Sequence, residues 1–590
     1  MHIVYREKRN IEESAIPTDL NQSPADIIVL SFSDSDLTAF SEGWERANKH
    51  SKGKFPNLRL ANLQDLKHPL SVDTYIEKTL SKAKAVIIRV IGGVPYWEYG
   101  LNQVKKISKE KNIALAVLPA DGREDKKLAS YSNIPESTLK KLNDFCNTGG
   151  SIATHAALAQ ISFTAGIYSS KVVGEKFIPI FGYWSPKKGI YSQIDPKEFK
   201  RNSFVLITFY RSFITASDLN PIKVLINTLE KNNLPVVAIF IPSLKEPRSF
   251  KWIQKEITNI RPLAIINATS FSSKSKDGSS PLDFEDVPVF QVSLSTNKKK
   301  SWIKENRGLS PTDMIMHVAL PEIDGRLFAG VASFKEKLKK NNKLEFFPIK
   351  HIANKERIEA IVKKVNGWIR LKKISNSKKK IAFIVSTYPG KPWLIGHAVG
   401  LDVFKSVESI MQDIGILDEK EKKNFIKEIE SNKIHVPIDD YKNFLSTINK
   451  KLVKSINKVW GSPEKDKDFI DGKFLLKAFH YKNCLIALQP ERGDIIDREH
   501  QYHDLDSVPK HSYVAFYFWI KHKFKTDVII HVGAHGTLEW LPGKSVGLSK
   551  TCWPEILTDN TPVIYPFIIN DPGESSQAKR IGHNTSNHVS

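Results

Sequence analysis

From His531 to Lys544 the chain reads H-V-G-A-H-G-T-L-E-W-L-P-G-K, so two imidazoles and a carboxylate, His531, His535 and Glu539, recur at every fourth position. Neutral imidazole and ionised carboxylate suit a borderline divalent metal, and the same groups accept protons near neutral pH. Metal delivery and proton removal can therefore share one site. Two better-known chemistries fail on residue identity. A zincin needs H-E-x-x-H with its glutamate as general base, whereas Val532, Gly533 and Ala534 separate the histidines here. A phosphate-binding P-loop needs a glycine five positions before its Gly-Lys-Ser, and Leu538 holds that place ahead of Gly543-Lys544-Ser545.

The elements that must position these groups follow from the flanking residues. A helix through the whole stretch would align His531, His535 and Glu539 on one face, but Gly533 and Gly536 argue for a strand that runs into a glycine turn. The apolar run Val528-Ile529-Ile530 supplies the strand and puts His531 near its end. Glu539 then falls on a short helix, which Pro542 and Gly543 stop. A structural role competes at each position, since one histidine can cap a strand end and the other fill a turn. A mononuclear metallohydrolase with these three ligands and an open water position is a further reading of the same cluster.

Along the rest of the chain, short apolar runs alternate with amphipathic stretches, which predicts an α/β protein of several domains with open sheets and flanking helices. Strands are predicted over 26–31, 85–90 and 113–118, and a helix over 137–146. A second unit, 201–371, has a βαβ pattern of strand 204–208, helix 221–231 and strand 235–241. The stretch 270–281 reads as a mobile loop within it. In the helix 356–371, Ile358, Ile361, Val362, Val365, Trp368 and Ile369 share one face and should dock on that unit's sheet. The charged run 372–380 is the predicted linker, and 381–590 opens a third domain that carries the histidine motif, after a first domain of 1–200. A charged surface helix is expected over 418–429.

At 590 residues the chain has room for about three or four domains with a large buried core. Cys146, Cys484 and Cys552 stand without C-x-x-C spacing, which points away from disulfides and cysteine zinc sites and towards the cytoplasm. The N-terminus lacks the apolar core of a signal peptide, and no apolar run approaches the ~20 residues of a spanning helix. Neither membrane insertion nor nucleic-acid binding is expected. The net charge of +24 comes from lysines scattered over solvated faces, as at Lys298-Lys299-Lys300, with no aromatic-interleaved basic module, although it can help attract an anionic substrate.

The motif H-x-G-x-H-G-x-x-E-x-x-P-G-K resembles that of the large subunits of ATP-dependent tetrapyrrole metal chelatases. Trp540-Leu541 and Asn570-Asp571-Pro572-Gly573-Glu574 are similar to the CobN-type cobaltochelatase branch, where the magnesium chelatase branch more usually has Phe-Met before Pro-Gly-Lys. The resemblance runs through most of the chain. It includes Ser31-Phe32-Ser33-Asp34, Phe209-Tyr210-Arg211, Leu320-Pro321-Glu322-Ile323-Asp324-Gly325-Arg326, Gln489-Pro490-Glu491-Arg492-Gly493 and Tyr513-Val514-Ala515-Phe516-Tyr517. His397 departs from it, standing where the family usually has Asn. Family members are roughly twice as long, and after Gln577-Ala578-Lys579-Arg580 they continue through an apolar stretch before a similar Ile-Gly-His. An internal deletion or frameshift followed by early termination is the resulting expectation.

The resemblance implies the substrate-binding subunit of an enzyme that inserts Co2+ into hydrogenobyrinic acid a,c-diamide on the aerobic route to cobalamin. His531 or His535 would present the metal, with Glu539 as ligand or proton acceptor. Arg492 and Lys544 would meet the carboxylates of the corrinoid. His503 and His511 flank a polar turn from which either can line the same cleft, with capping by His503 and Asp504 as the alternative. Trp540 would lie under the macrocycle or in the core. No G-x-x-x-x-G-K-[S/T] occurs in the chain, so ATP hydrolysis, with its Mg2+, is assigned to partners: an AAA+ ATPase subunit and a subunit bearing an integrin-I-type domain. A non-catalytic tetrapyrrole-binding remnant and a magnesium chelatase large subunit are the alternatives.

Overall fold

The computed structural model describes residues 17–120, 124–194, 203–386, 395–398, 401–418, 420–421, 423–493, 504–533, 537–566 and 572–586. Three sheets lie along the chain. The first has the order β2-β1-β3-β4, built from β1 (Ile27–Ser31), β2 (Leu58–Asn62), β3 (Ala85–Val90) and β4 (Ala114–Pro119), all parallel. Every residue of β1 and β3 is buried, as expected of parallel strands with helices on both faces. Arg89 on β3 is accommodated because Asp36, in the first turn of the helix Asp34–His50, pairs with it at 2.8 Å.

The second sheet begins with the short strands β5 (Gly182–Ser185) and β6 (Gly189–Tyr191), N-terminal to the expected boundary at residue 200. It continues with β7 (Val205–Tyr210), β8 (Val236–Ile241), β9 (Ala264–Asn267), β10 (Val289–Ser295), β11 (Leu327–Lys337) and β12 (Ile349–Ala353). Its order is β12-β11-β10-β9-β7-β8-β5-β6. The helix Lys355–Lys373 lays Ile358, Ile361, Val362, Val365 and Ile369 into the core of this sheet, as their spacing predicts. The stretch 270–281 is held in place: Asp324 accepts from the Ser272 and Ser273 hydroxyls, and Arg326 donates to Ser280.

The third sheet contains β13 (Ile381–Val385), β16 (Lys433–Pro437), β17 (Phe469–Ile470), β18 (Lys473–Tyr481), β19 (Cys484–Leu488), β20 (Val528–Val532), β21 (Val563–Pro566) and β22 (Asn584–Ser586). A separate ribbon pairs β14 (His397–Ala398) with β15 (Leu401–Asp402). The main path is β16-β18-β19-β13-β20-β21-β22, parallel from β19 to β22. The predicted linker is short: the helix runs to Lys373, one turn spans Asn376–Lys378, and β13 starts at Ile381. The charged helix expected from 418 is described only over Phe425–Ser431.

All three sheets share one winding scheme. In each, the first parallel strand lies between the second and the third, as β1, β7 and β13 do. Where the winding reverses, the connections leave the sheet to opposite sides and open a crevice at the carboxyl ends of the central strands. In the third sheet that crevice lies between β13 and β20. Among the described residues no helix is long and apolar enough to cross a membrane.

The second and third units are joined tightly. Arg357 donates to the Glu555 carboxylate at 2.9 Å and to the Leu548 carbonyl at 2.8 Å, and Arg370 pairs with Asp527 at 2.8 Å. The Arg357–Glu555 pair is largely out of water, so removing only its cation leaves an uncompensated carboxylate. Arg357→Met should destabilise this joint by about 3–5 kcal/mol, and adding Glu555→Gln should recover part of the loss. Urea denaturation of both variants measures this directly.

Candidate functional site

The crevice between β13 and β20 is where the histidine motif falls. His531 is the penultimate residue of β20, fully buried, and faces Ile384 of β13 in the parallel register. Two residues on, Gly533 passes so close to Ser386 that a Cβ there would lie 2.0 Å from the serine hydroxyl oxygen. A side chain at the glycine of H-x-G would thus have to displace the Ser386 hydroxyl at the strand ends. His535 lies outside the described residues, as does His503.

A buried imidazole must find hydrogen-bond partners or lose stability. His531 finds one in the helix His511–Trp519, where Tyr513 and Tyr517, four residues apart, share a face. The Tyr517 hydroxyl is 3.1 Å from His531 Nε2 and also 2.6 Å from the side-chain nitrogen of Gln489, at the exit of β19. That nitrogen is 3.1 Å from the Tyr513 hydroxyl, which lies 2.8 Å from Thr537 Oγ1. The Tyr565 ring stacks on His531 at 4.9 Å and 9°. His531 Nδ1 has no hydrogen-bond partner among the described residues.

Glu539 lies on a single 3-10 turn, Leu538–Trp540, where the glycine pattern predicts a short helix; Leu541 leaves that turn in extended conformation. Its side chain is 1% exposed. Burial chiefly raises the Tyr513 and Tyr517 hydroxyls above their usual range, and the negative charge of Glu539 adds to the rise in both. The carboxylate therefore stands within electrostatic reach of the tyrosines that hold His531. Half-buried Trp540 follows it.

The remaining candidates occupy varied positions. Arg492 is buried and donates to the carbonyls of Asp504 and Ser507, and its charge lowers the Tyr513 pKa. His511 uses both ring nitrogens within the core, Nδ1 at 2.9 Å from the Tyr441 hydroxyl and Nε2 at 3.0 Å from the Gly461 carbonyl. Lys544 reaches the second unit, where it donates to the Glu305 carbonyl at 2.7 Å and covers the Trp302 ring. Among the described residues no three His, Cys, Asp or Glu side chains gather as a metal site. Gln489, Tyr513 and Tyr517 were visible in the sequence only as matched residues without a role, and the i,i+4 tyrosines were the signal for a shared buried face.

The family described as CobN/Magnesium Chelatase matches residues 138–586. The chain belongs to this family. It is 31% identical over 98% of its length to a protein of Sinorhizobium sp. named aerobic cobaltochelatase subunit CobN, and 30% identical over 95% to the Pseudomonas aeruginosa protein of that name. It covers 47% and 46% of these relatives, so it spans about half their length. The catalytic subunit of cobaltochelatase from Mycobacterium tuberculosis has the same fold, with a TM-score of 0.73 at 24% identity over 95% of this chain and 47% of that one. The α/β architecture expected from the sequence is thus the family's own.

Burial pushes His531 down to about 3 from an ordinary 6.5. The unfolded chain then takes up a proton as pH falls through 6.5, while the folded chain refuses it until about 3. Stability present above the upper value is lost progressively towards the lower one. In His531→Gln, the number of protons taken up on unfolding near pH 5 should fall by about one. Urea midpoints compared across this pH window give that number.

Proposed function

We propose that the chain is the substrate-binding part of the large subunit of an ATP-dependent cobaltochelatase, which inserts Co2+ into hydrogenobyrinic acid a,c-diamide on the aerobic route to cobalamin. The observation that supports the reading is that His531 and Gly533 of the family motif stand at the end of β20 beside β13, at the winding reversal of the third sheet, where open α/β sheets take their ligands, while the charge of Glu539 acts on Tyr513 and Tyr517. The CobN-named relatives, matched along almost the whole chain, support cobalt as the cargo.

Metal insertion requires a held macrocycle, a metal at its face, and acceptors for the protons leaving the ring nitrogens. Glu539 is the proposed proton acceptor or metal ligand, with His531 and His535 completing the metal-handling set. Half-buried Trp540 is proposed to flank the macrocycle, and Arg492, Lys544 and His503 to contact its acidic arms; His511 is not, because both its ring nitrogens are bonded in the core. ATP hydrolysis is assigned to an AAA+ ATPase subunit acting with a subunit that bears an integrin-I-type domain, in the cytoplasm. Magnesium as cargo fits less well, because that harder ion prefers more oxygen ligands than the motif supplies.

Titration with the corrinoid should quench tryptophan fluorescence saturably, and absence of binding would sink the proposal. Cobalt insertion in the presence of both partner subunits and ATP, followed by absorption, should yield metalated product. Glu539→Gln preserves size while removing charge and basicity. It should leave corrinoid binding intact and slow metal insertion at least ~100-fold; unchanged turnover would reduce Glu539 to scaffold.

A further inference from the structure

Glu539 can act at the crevice only if the short turn that carries it is held in place, and the bonds inside that turn are long. Trp540 N lies 3.3 Å from the Thr537 carbonyl and Leu541 N lies 3.3 Å from that of Leu538, beyond the usual value of about 2.9 Å. Thr537 stands at the N-cap of the turn, where a threonine hydroxyl commonly accepts from the backbone that follows it. It makes no such bond here. The hydroxyl lies instead 2.8 Å from that of Tyr513, and both residues are buried. Tyr513 is itself fixed: its ring belongs to the core of the third unit, and the Gln489 amide nitrogen at the exit of β19 lies 3.1 Å from its hydroxyl. Burial chiefly, and with it the charge of Glu539, raises that hydroxyl above its usual range, so carboxylate and tyrosine stand near each other.

We propose that Tyr513 is a positioning residue that holds the Leu538–Trp540 turn, and with it Glu539, through the hydroxyl of Thr537. Either oxygen can give the proton, and the tie holds in both cases. Leu538 and Leu541 also anchor the turn in the core. Apolar contact is non-directional and lets the turn rock, whereas a hydrogen bond is lost at a poor angle. Under the chelatase reading, on which this consequence rests, the orientation of Glu539 sets the rate of metal insertion and not the affinity for the corrinoid.

Amide hydrogen–deuterium exchange of residues 538–541 reads the tie without metal, corrinoid or partner subunits. Tyr513→Phe and Thr537→Val each remove one hydroxyl and keep the shape of the side chain. Exchange in 538–541 should quicken about five- to tenfold, the factor for one hydrogen bond of ordinary strength, while β13 and β20 stay as protected as in the native chain. Thr537→Ser keeps the hydroxyl and should exchange as the native chain does. The double variant should be no faster than the faster single one. Unchanged exchange in either folded variant that lacks a hydroxyl, or additive effects in the double variant, overturns the proposal. Should Tyr513→Phe not fold, Thr537→Val and Thr537→Ser decide it. In cobalt insertion with both partner subunits and ATP, Tyr513→Phe should lower the saturating rate by the same factor and leave the half-saturating corrinoid concentration unchanged. The opposite split overturns the role in insertion. Absence of product from the native chain would count against the chelatase reading instead, and exchange would still decide the tie.

Discussion

The crevice depends on placing a polar ring where a parallel sheet would otherwise hold an aliphatic side chain. His531 lies in a fully buried strand between β13 and β21, and no solvent reaches it. An unpaired polar group there would cost about 1–3 kcal/mol. The chain meets the constraint with a second buried layer, in which Tyr513 and Tyr517 of the buried helix His511–Trp519 are tied to Gln489. Motif, helix and β19 exit are thereby locked to one another. These hydrogen bonds hold Gln489, Tyr513, Tyr517 and the Nε2 side of His531 in one arrangement.

The same segment that forms the crevice also joins the units. Beyond Leu541 the chain leaves the third sheet and lies on the second unit, where Val546 enters a core with Trp302, Leu309 and Phe334. Trp302 donates to the Gly547 carbonyl at 2.9 Å. Gly308 admits this strap, because a Cβ there would lie 1.9 Å from the Val546 carbonyl. The Pro-Gly-Lys end of the motif is therefore tied to the second unit, and any displacement between the units pulls on the turn that carries Glu539.

Repetition of one winding scheme in three sheets produces three equivalent crevices, yet their polar contents differ. In the first, Arg89 and Asp36 pair with each other, and Asn147 also accepts from Arg89. In the second, Thr208, Asn267 and Gln291 form a closed set of hydrogen bonds across β7, β9 and β10. In the third, His531 keeps one ring nitrogen without a partner among the described residues. Architecture supplies the place, and the residues at the strand ends decide whether chemistry is available there.

Much was legible in the sequence because it depends on local order. Apolar runs located β1, β3, β4, β7, β8, β13 and β20 to within a residue or two, and the spacing of Ile358, Ile361, Val362 and Val365 announced the face that docks on the second sheet. The histidine motif likewise placed His531 near a strand end. Other features arise between segments far apart in the chain and have no local signature. Nothing near residue 531 indicates that Gln489 and Tyr517 set its hydrogen bonding, or that β5 and β6 extend the second sheet. Lys544, a plausible substrate cation by composition, reaches Glu305 because the strap crosses to another unit. The sequence by itself determined which elements form and which residues can do chemistry, since periodicity and side-chain type are local properties. Tertiary structure alone decided which of those groups meet, since burial, hydrogen bonds between distant segments and the approach of two strand ends exist only after the chain has closed on itself.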